Sequence, residues 1–197
     1  MTLFSPKTQS SRPITDRVKE SLFNVLYNHD LPSGAIVADL FCGVGSLGLE
    51  ALSRGARFVT LVEKDERIIA TLKRNIEKAG FVKESRVVRA NAFKTGTAHG
   101  FAGEKCRLVF VDPPYAATAD VQADSPLAGL LDILGDQVTD DGMVIVRTRR
   151  DVSLLNQYGR FRVAERRQWG TMAVSILTKA ESDTRENDKQ AGGNKDH

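Results

Sequence analysis

Short runs of branched apolar residues alternate along this chain with stretches whose apolar positions return every three or four residues. The runs Ala35-Ile36-Val37-Ala38-Asp39-Leu40, Phe58-Val59-Thr60-Leu61-Val62-Glu63, Arg86-Val87-Val88-Arg89-Ala90-Asn91, Leu108-Val109-Phe110-Val111 and Gly142-Met143-Val144-Ile145-Val146 read as strands of a buried parallel sheet. Between them, Val18, Leu22, Val25 and Leu26 fall at helical spacing, as do Ile68, Ile69, Leu72, Ile76 and Ala79, and later Leu130, Leu131 and Leu134. Thr15 or Asp16 caps the first of these helices, Asp65 begins the second and Gly80 stops it, and Ser125-Pro126 opens the third. A further helix runs from about Ser46 to Arg54, closed by Gly55, whereas the Gly- and Thr-rich segment 92–105 predicts no clear helix. Two last β runs, near Phe161–Arg167 and Thr171–Leu177, flank Gln168-Trp169-Gly170 as an antiparallel hairpin.

Strand and helix alternating in this way predict an α/β fold, a mainly parallel, doubly wound sheet with right-handed crossovers. One domain is expected over residues 1–180, with residues 1–11 flexible and the polar, Gly-rich stretch 181–197 disordered. Composition changes little. Hydrophobic residues make up 41% of 197 and charged residues 27%, enough to bury a core. No run is long enough to span a membrane and the start lacks a secretory apolar region. Cys42 and Cys106 are the only cysteines, with no metal-like pairing, so the expectation is a cytoplasmic, reduced protein. Net charge is +3, but the acidic end hides more: without residues 181–197, 25 bases face 20 acids. That surplus suits nucleic acid, and a solvated basic face would produce it equally.

Candidate chemistry gathers at the carboxyl ends of the expected strands, where open α/β sheets bind ligands. Gly43-Val44-Gly45-Ser46-Leu47-Gly48 has the G-x-G-x-x-G spacing after a strand, and Glu63 follows twenty positions after Gly43. Glycines there let a ligand approach the helix N-terminus, and Glu63 can accept from two ribose hydroxyls. Taken alone this also describes a nicotinamide dinucleotide site, or simply tight strand-to-helix packing. Asp39 shifts the choice toward S-adenosylmethionine (AdoMet), because an acid at that strand end meets a cationic amino-acid group and repels a diphosphate. Asn91 ends the third strand within reach of an adenine edge; otherwise it is a turn cap. Asp112-Pro113-Pro114-Tyr115 ends the fourth strand as a stiff turn, since each proline fixes φ and lacks an N–H. The Asp112 carboxylate and Pro113 carbonyl would accept from an exocyclic amine, while Tyr115 stacks on the ring. The plainer reading is a strand-ending turn with Tyr115 covering core. Arg12, Arg17 and Lys19 on and before the first helix are weaker candidates for phosphate contact. Trp169 is expected to pack the hairpin turn, and His29, His99 and His197 carry no assigned chemistry.

Three stretches resemble the RsmD-type methyltransferases: Arg12-Pro13-Ile14-Thr15-Asp16-Arg17-Val18-Lys19-Glu20-Ser21-Leu22-Phe23-Asn24, the run from Asp39 through the glycine loop to Ala56, and Val109-Phe110-Val111-Asp112-Pro113-Pro114-Tyr115. The resemblance spans roughly Arg12 to Leu177. It implies a class I AdoMet-dependent methyltransferase of Rossmann-like fold, with a seven-stranded sheet and the C-terminal hairpin. It implies methylation of the exocyclic N2 of a guanine in small-subunit (16S) ribosomal RNA, on the RNA or the assembled subunit. A monomer is expected, and the reaction requires no metal. It further implies that the helix from Thr15 to Asn28 packs over the cofactor and that Asp112, Pro113, Pro114 and Tyr115 hold the target base. Two departures stand out. Only eleven residues precede Arg12, where the family usually carries a basic strand thought to grip RNA. The fifth strand, which commonly ends in glutamate, reads Val146-Arg147-Thr148-Arg149-Arg150. An adenine-N6 methyltransferase acting on DNA or RNA, a non-catalytic RNA-binding factor on this fold, and a nicotinamide enzyme remain as alternatives.

Overall fold

A computed structural model describes residues 3–4, 14–98 and 101–180. Arg12, His99 and His197, nearly all of the expected flexible leader and the expected disordered tail lie outside the described residues. Eight strands form one sheet in the order β3-β2-β1-β4-β5-β8-β7-β6. The first five are β1 (Ile36–Leu40), β2 (Phe58–Glu63), β3 (Ser85–Arg89), β4 (Cys106–Val111) and β5 (Val138–Arg149), all parallel. β6 (Gln157–Tyr158), β7 (Phe161–Trp169) and β8 (Met172–Lys179) complete the sheet antiparallel to their neighbours. The expected mixed sheet is present with one more strand than the seven anticipated. The addition is β6, whose two residues are too short to leave a periodic signal.

The helices form where capping and periodicity meet. Thr15 Oγ1 accepts from the Val18 N–H to open α1 (Asp16–Tyr27), and Asp65 does the same for Arg67 at α3 (Glu66–Ala79). Gly80, left-handed, ends α3. Ser125 and Pro126 start α5 (Pro126–Gln137), and α2 (Ser46–Ser53) follows the glycine loop. The segment with no clear helical signal holds a single four-residue turn, α4 (Ala92–Thr95), capped by Asn91. α1 to α3 cover one face of the sheet in a core with Phe23, Leu49, Leu72 and Phe110. α5 covers the other, with Val109, Val144, Leu131 and Phe161. Trp169 is half-buried against the first core, as its hairpin position implied.

Two differences bear on the site. Phe4, placed by sequence in an unstructured leader, is anchored: the buried Asn75 accepts from its N–H at 2.8 Å and donates to its carbonyl at 3.1 Å. β5 does not stop at Val146 but continues to Arg149, because β8 pairs it through Arg147↔Val174, Thr148↔Ala173 and Arg149↔Met172. Arg147 is therefore a strand residue inside the sheet.

Candidate active site

The parallel register aligns the candidate side chains. Val62, Leu40, Val111 and Val146 form one row across β2, β1, β4 and β5, so Glu63, Asp112 and Arg147 each stand one residue further, at the carboxyl edge. Side chains alternate along a strand, which puts these three on the same face as Asp39, two rows back in the sheet. A cavity of about 310 Å³ opens at this edge, at the lower end of ligand-site sizes. Gly43, Glu63, Asn91, Asp112 and Pro114 line it, with Phe41, Val62, Ile68 and Phe93 as apolar walls. Gly45, Asp39, Tyr115 and the buried Pro113 are not in the lining.

Glu63 is 8% exposed and already organises the loops around it. Its Oε2 accepts from the Gly43 N–H at 3.1 Å, and its Oε1 from the N–H groups of Lys64 and Asp65 at 2.7 and 2.9 Å. A carboxylate has about four acceptor positions, so one remains for a ligand hydroxyl rather than the two expected. Asn91 spends its Oδ1 on the Phe93 N–H at 3.1 Å, the capping role, which leaves any adenine contact to its amide nitrogen.

Asp39 lies beneath the loop, 1% exposed, and its Oδ2 accepts from the Gly48 N–H at 2.7 Å. Burial raises its pKa from 3.8 to about 8; the Gly48 bond opposes the rise, Asp112 and Glu63 add to it and Arg147 counters it. Gly45 (φ +89) caps α2 in a left-handed conformation, and a Cβ there would come within 2.7 Å of Leu72. Asn75, a polar residue on the apolar stripe of α3, donates to the Val44 carbonyl at 3.0 Å and so ties the loop to that helix.

These contacts bear on what the loop can bind. The N–H of Gly43 goes to Glu63, that of Gly45 to the Cys42 carbonyl at 2.9 Å, and that of Gly48 to Asp39. Three of the donors that would cradle a diphosphate are thus satisfied internally, beside a cluster of three carboxyl groups. That donor set suits a cationic nucleoside such as AdoMet and opposes a dinucleotide.

Asp112 is mostly buried, and Arg147 Nε donates to its Oδ1. Burial pushes the Asp112 carboxyl up, and the Arg147 charge and hydrogen bond hold it down, with burial the larger effect. The Arg147 guanidinium also lies 5.9 Å from the centre of the Tyr115 ring. Tyr115 opens a short 3-10 turn (Tyr115–Thr118), is partly exposed, and its buried hydroxyl has no hydrogen-bond partner among the described residues. Behind that turn, Tyr158 Oη donates to the Val121 carbonyl at 2.6 Å and accepts from the Leu155 N–H at 3.0 Å. β6 thereby anchors the chain that carries the Asp-Pro-Pro-Tyr turn. No group of three or more His, Cys, Asp or Glu arranged to hold a metal occurs among the described residues.

The family described as Conserved hypothetical protein 95 matches residues 1–178. The YlbH protein of Bacillus subtilis (strain 168), provisionally named an rRNA methyltransferase, is 32% identical over 172 residues, covering 86% of this chain and 89% of that protein. The chain belongs to this family, the RsmD-type methyltransferases. Ribosomal RNA small subunit methyltransferase D of Escherichia coli (strain K12) is 41% identical over 116 residues, a match covering 56% of this chain and 52% of the relative. Among solved structures, yhhF of Escherichia coli, provisionally named a methyltransferase, superposes with a TM-score of 0.71 at 29% identity, covering 90% of this chain and 91% of that one.

For an RsmD-type chain the structure leaves some expectations aside. No described residue of α1 lines the cavity; the helix instead packs Phe23 on Phe110, ring centres 5.8 Å apart. Lys19 is only 12% exposed at its side chain and bridges Asp16 and Glu50 at 3.2 and 3.4 Å. Arg17 is exposed on α1. Sequence reasoning did not single out Phe41, Ile68, Phe93 or Asn75 for the site. Asn75 left a trace, a lone amide on an otherwise apolar stripe. Phe41 and Phe93, with ring centres 4.7 Å apart, left none beyond following a strand end.

Proposed function

We propose that the chain transfers the methyl group of AdoMet to the exocyclic N2 of a guanine in small-subunit ribosomal RNA, in the cytoplasm. The observation that carries this reading is the convergence of Glu63, Asn91, Asp112 and Pro114 on a single cavity, with Asp39 buried under the adjoining glycine loop. Glu63 and Asn91 would hold the nucleoside end of AdoMet, against the walls of Phe41, Ile68 and Phe93. Asp39 and its acidic neighbours would favour the cationic end. When bound, AdoMet supplies a methyl group activated on a sulfonium.

An exocyclic amine is a poor nucleophile because its lone pair is delocalised into the ring. The Asp112 carboxylate and Pro113 carbonyl would accept its two hydrogens, favouring a pyramidal nitrogen, and Asp112 offsets the positive charge that develops there. With Arg147 on Oδ1, the amine would take Oδ2. Tyr115 would stack on a base already unpaired, contributing about 1–3 kcal/mol.

The test is methyl transfer from labelled AdoMet to a small ribosomal subunit, naked rRNA and DNA, followed by nucleoside mass spectrometry. N2-methylguanosine from ribosomal substrate is expected; N6-methyladenine would replace the guanine assignment with the adenine alternative. Asp112→Ala should abolish turnover while AdoMet still binds by calorimetry, and Glu63→Ala should weaken AdoMet binding. Equal loss of turnover and binding in Asp112→Ala would make that residue structural.

A further inference from the structure

The carboxyl edge of the sheet is electrically divided. Its β1-β2-β4 half carries Asp39, Glu63 and Asp112; beyond Arg147, the half built by β5, β8 and β7 carries arginines. β7 runs in the same direction as β5, with β8 antiparallel between them, so both strands end at the edge that holds Asp112. Of the ten residues 147–151 and 165–169, five are arginine, none is lysine, and two are acidic. Arginine's planar fork fits phosphate oxygens in pairs, which a lysine point charge does not.

The register locates these side chains. Arg147↔Val174↔Arg167 is one row and Arg149↔Met172↔Trp169 the next on the same face. At roughly 4.8 Å per strand, Arg167 stands about 14 Å along the edge from Asp112, and Arg149 lies between them. Arg149 and Arg167 are exposed, with 58% and 43% of their side chains accessible. Their partners are Asp151 and Glu165, each two residues away and 64% and 38% exposed. Exposed pairs of this kind contribute little and exchange readily for a phosphate. Arg166 instead turns back onto the chain, and its guanidinium donates to the carbonyls of Arg150 and Val152 at 2.7 and 3.0 Å. That clamp holds the chain after β5 against β7, so the backbone that carries the exposed arginines is set before any ligand arrives.

We propose that the carboxyl ends of β5 and β7, through Arg149 and Arg167, form a phosphate-binding ridge that holds the RNA strand flanking the target base beside Asp112. The inference rests on the reading of the chain as an RNA methyltransferase and specifies where it grips its substrate. The acidic half of the edge takes the cationic donor and the arginine half takes the polyanion.

The test compares the full chain with Arg149→Gln/Arg167→Gln and with a charge-matched control, Lys73→Gln/Lys83→Gln, in the α3 and post-α3 region. Binding of a labelled single-stranded fragment of small-subunit rRNA is followed by anisotropy over a range of salt concentrations. Two lost phosphate contacts should reduce the slope of log K against log salt by about 1.4, at roughly 0.7 per contact, and weaken binding roughly tenfold at low salt. The control should keep the parent slope, and calorimetric AdoMet affinity should be unchanged in both. KM for RNA should rise in the arginine variant with kcat held. An unchanged slope, an equal fall in the control, or a parent that binds no RNA overturns the ridge. If the parent methylates RNA and the arginine variant matches it, the ridge falls and the methyltransferase reading stands. If the arginine variant loses RNA binding as stated but the parent transfers no methyl group, the ridge stands and that reading falls.

Discussion

Asp39→Asn should stabilise the protein at neutral pH while damaging its cofactor site. The carboxyl has an ordinary pKa of 3.8 and a folded-state value of about 8, raised chiefly by burial. The folded chain therefore binds this proton more tightly than the unfolded chain does. Below pH 3.8 both states are protonated and burial carries no ionic penalty. As pH rises from there toward 8 the unfolded state ionises first, and stability falls by about 1.4 kcal/mol per pH unit. The loss reaches roughly 4 kcal/mol at pH 7 and levels off near 5–6 kcal/mol above pH 8. Asparagine cannot ionise, and its side-chain oxygen can still accept from the Gly48 N–H. Chemical denaturation of parent and variant at each pH from 4 to 8 isolates this group. The variant's advantage should be near zero at pH 4 and grow to roughly 4 kcal/mol at pH 7. A difference independent of pH, or a variant less stable than the parent at pH 7, refutes the argument that Asp39 is held neutral by burial. The counterpart lies in binding. A positive ligand favours the ionised carboxyl, so AdoMet affinity of the parent should strengthen as pH rises toward 8, and that of Asp39→Asn should be weaker and flat.

Two further changes probe the same region. Arg147→Gln removes the charge and hydrogen bond that oppose the upward push of burial on Asp112, so the acid limb of the pH–rate profile should move to higher pH. Arg147→Lys should bring it partly back, whereas a loss of rate with an unmoved profile would mean that Arg147 only supports packing. Gly48→Ala would place a methyl group 2.7 Å from Leu61 Cδ2, 3.0 Å from Val59 Cγ1 and 3.1 Å from Asp39 Oδ2. Overpacking there should lower stability by about 1–3 kcal/mol and weaken AdoMet binding, read by denaturant unfolding and calorimetry; a neutral substitution would show that α2 can shift freely on the sheet.

Periodicity along the chain determined the alternation of strands and helices, the hairpin at the end, and the helix boundaries where caps stand, because these are local consequences of which residues can share a face or satisfy an end. It also determined that Gly43, Glu63, Asn91 and Asp112 follow successive strands, which in a parallel sheet puts them at one edge. Burial and partner choice were decided only by the tertiary structure. Asp39 reads in sequence as a group facing a ligand, yet packing α2 onto β1 and β2 closes it beneath the loop with Gly48. Glu63 reads as a free acceptor, yet three backbone N–H groups converge on it. Arg147 reads as the start of a basic loop after β5. Pairing with β8, through residues 23 to 27 positions downstream, extends the strand and turns that guanidinium onto Asp112. Such contacts join residues far apart in the chain, and their energies depend on what water is excluded around them, which no local pattern encodes.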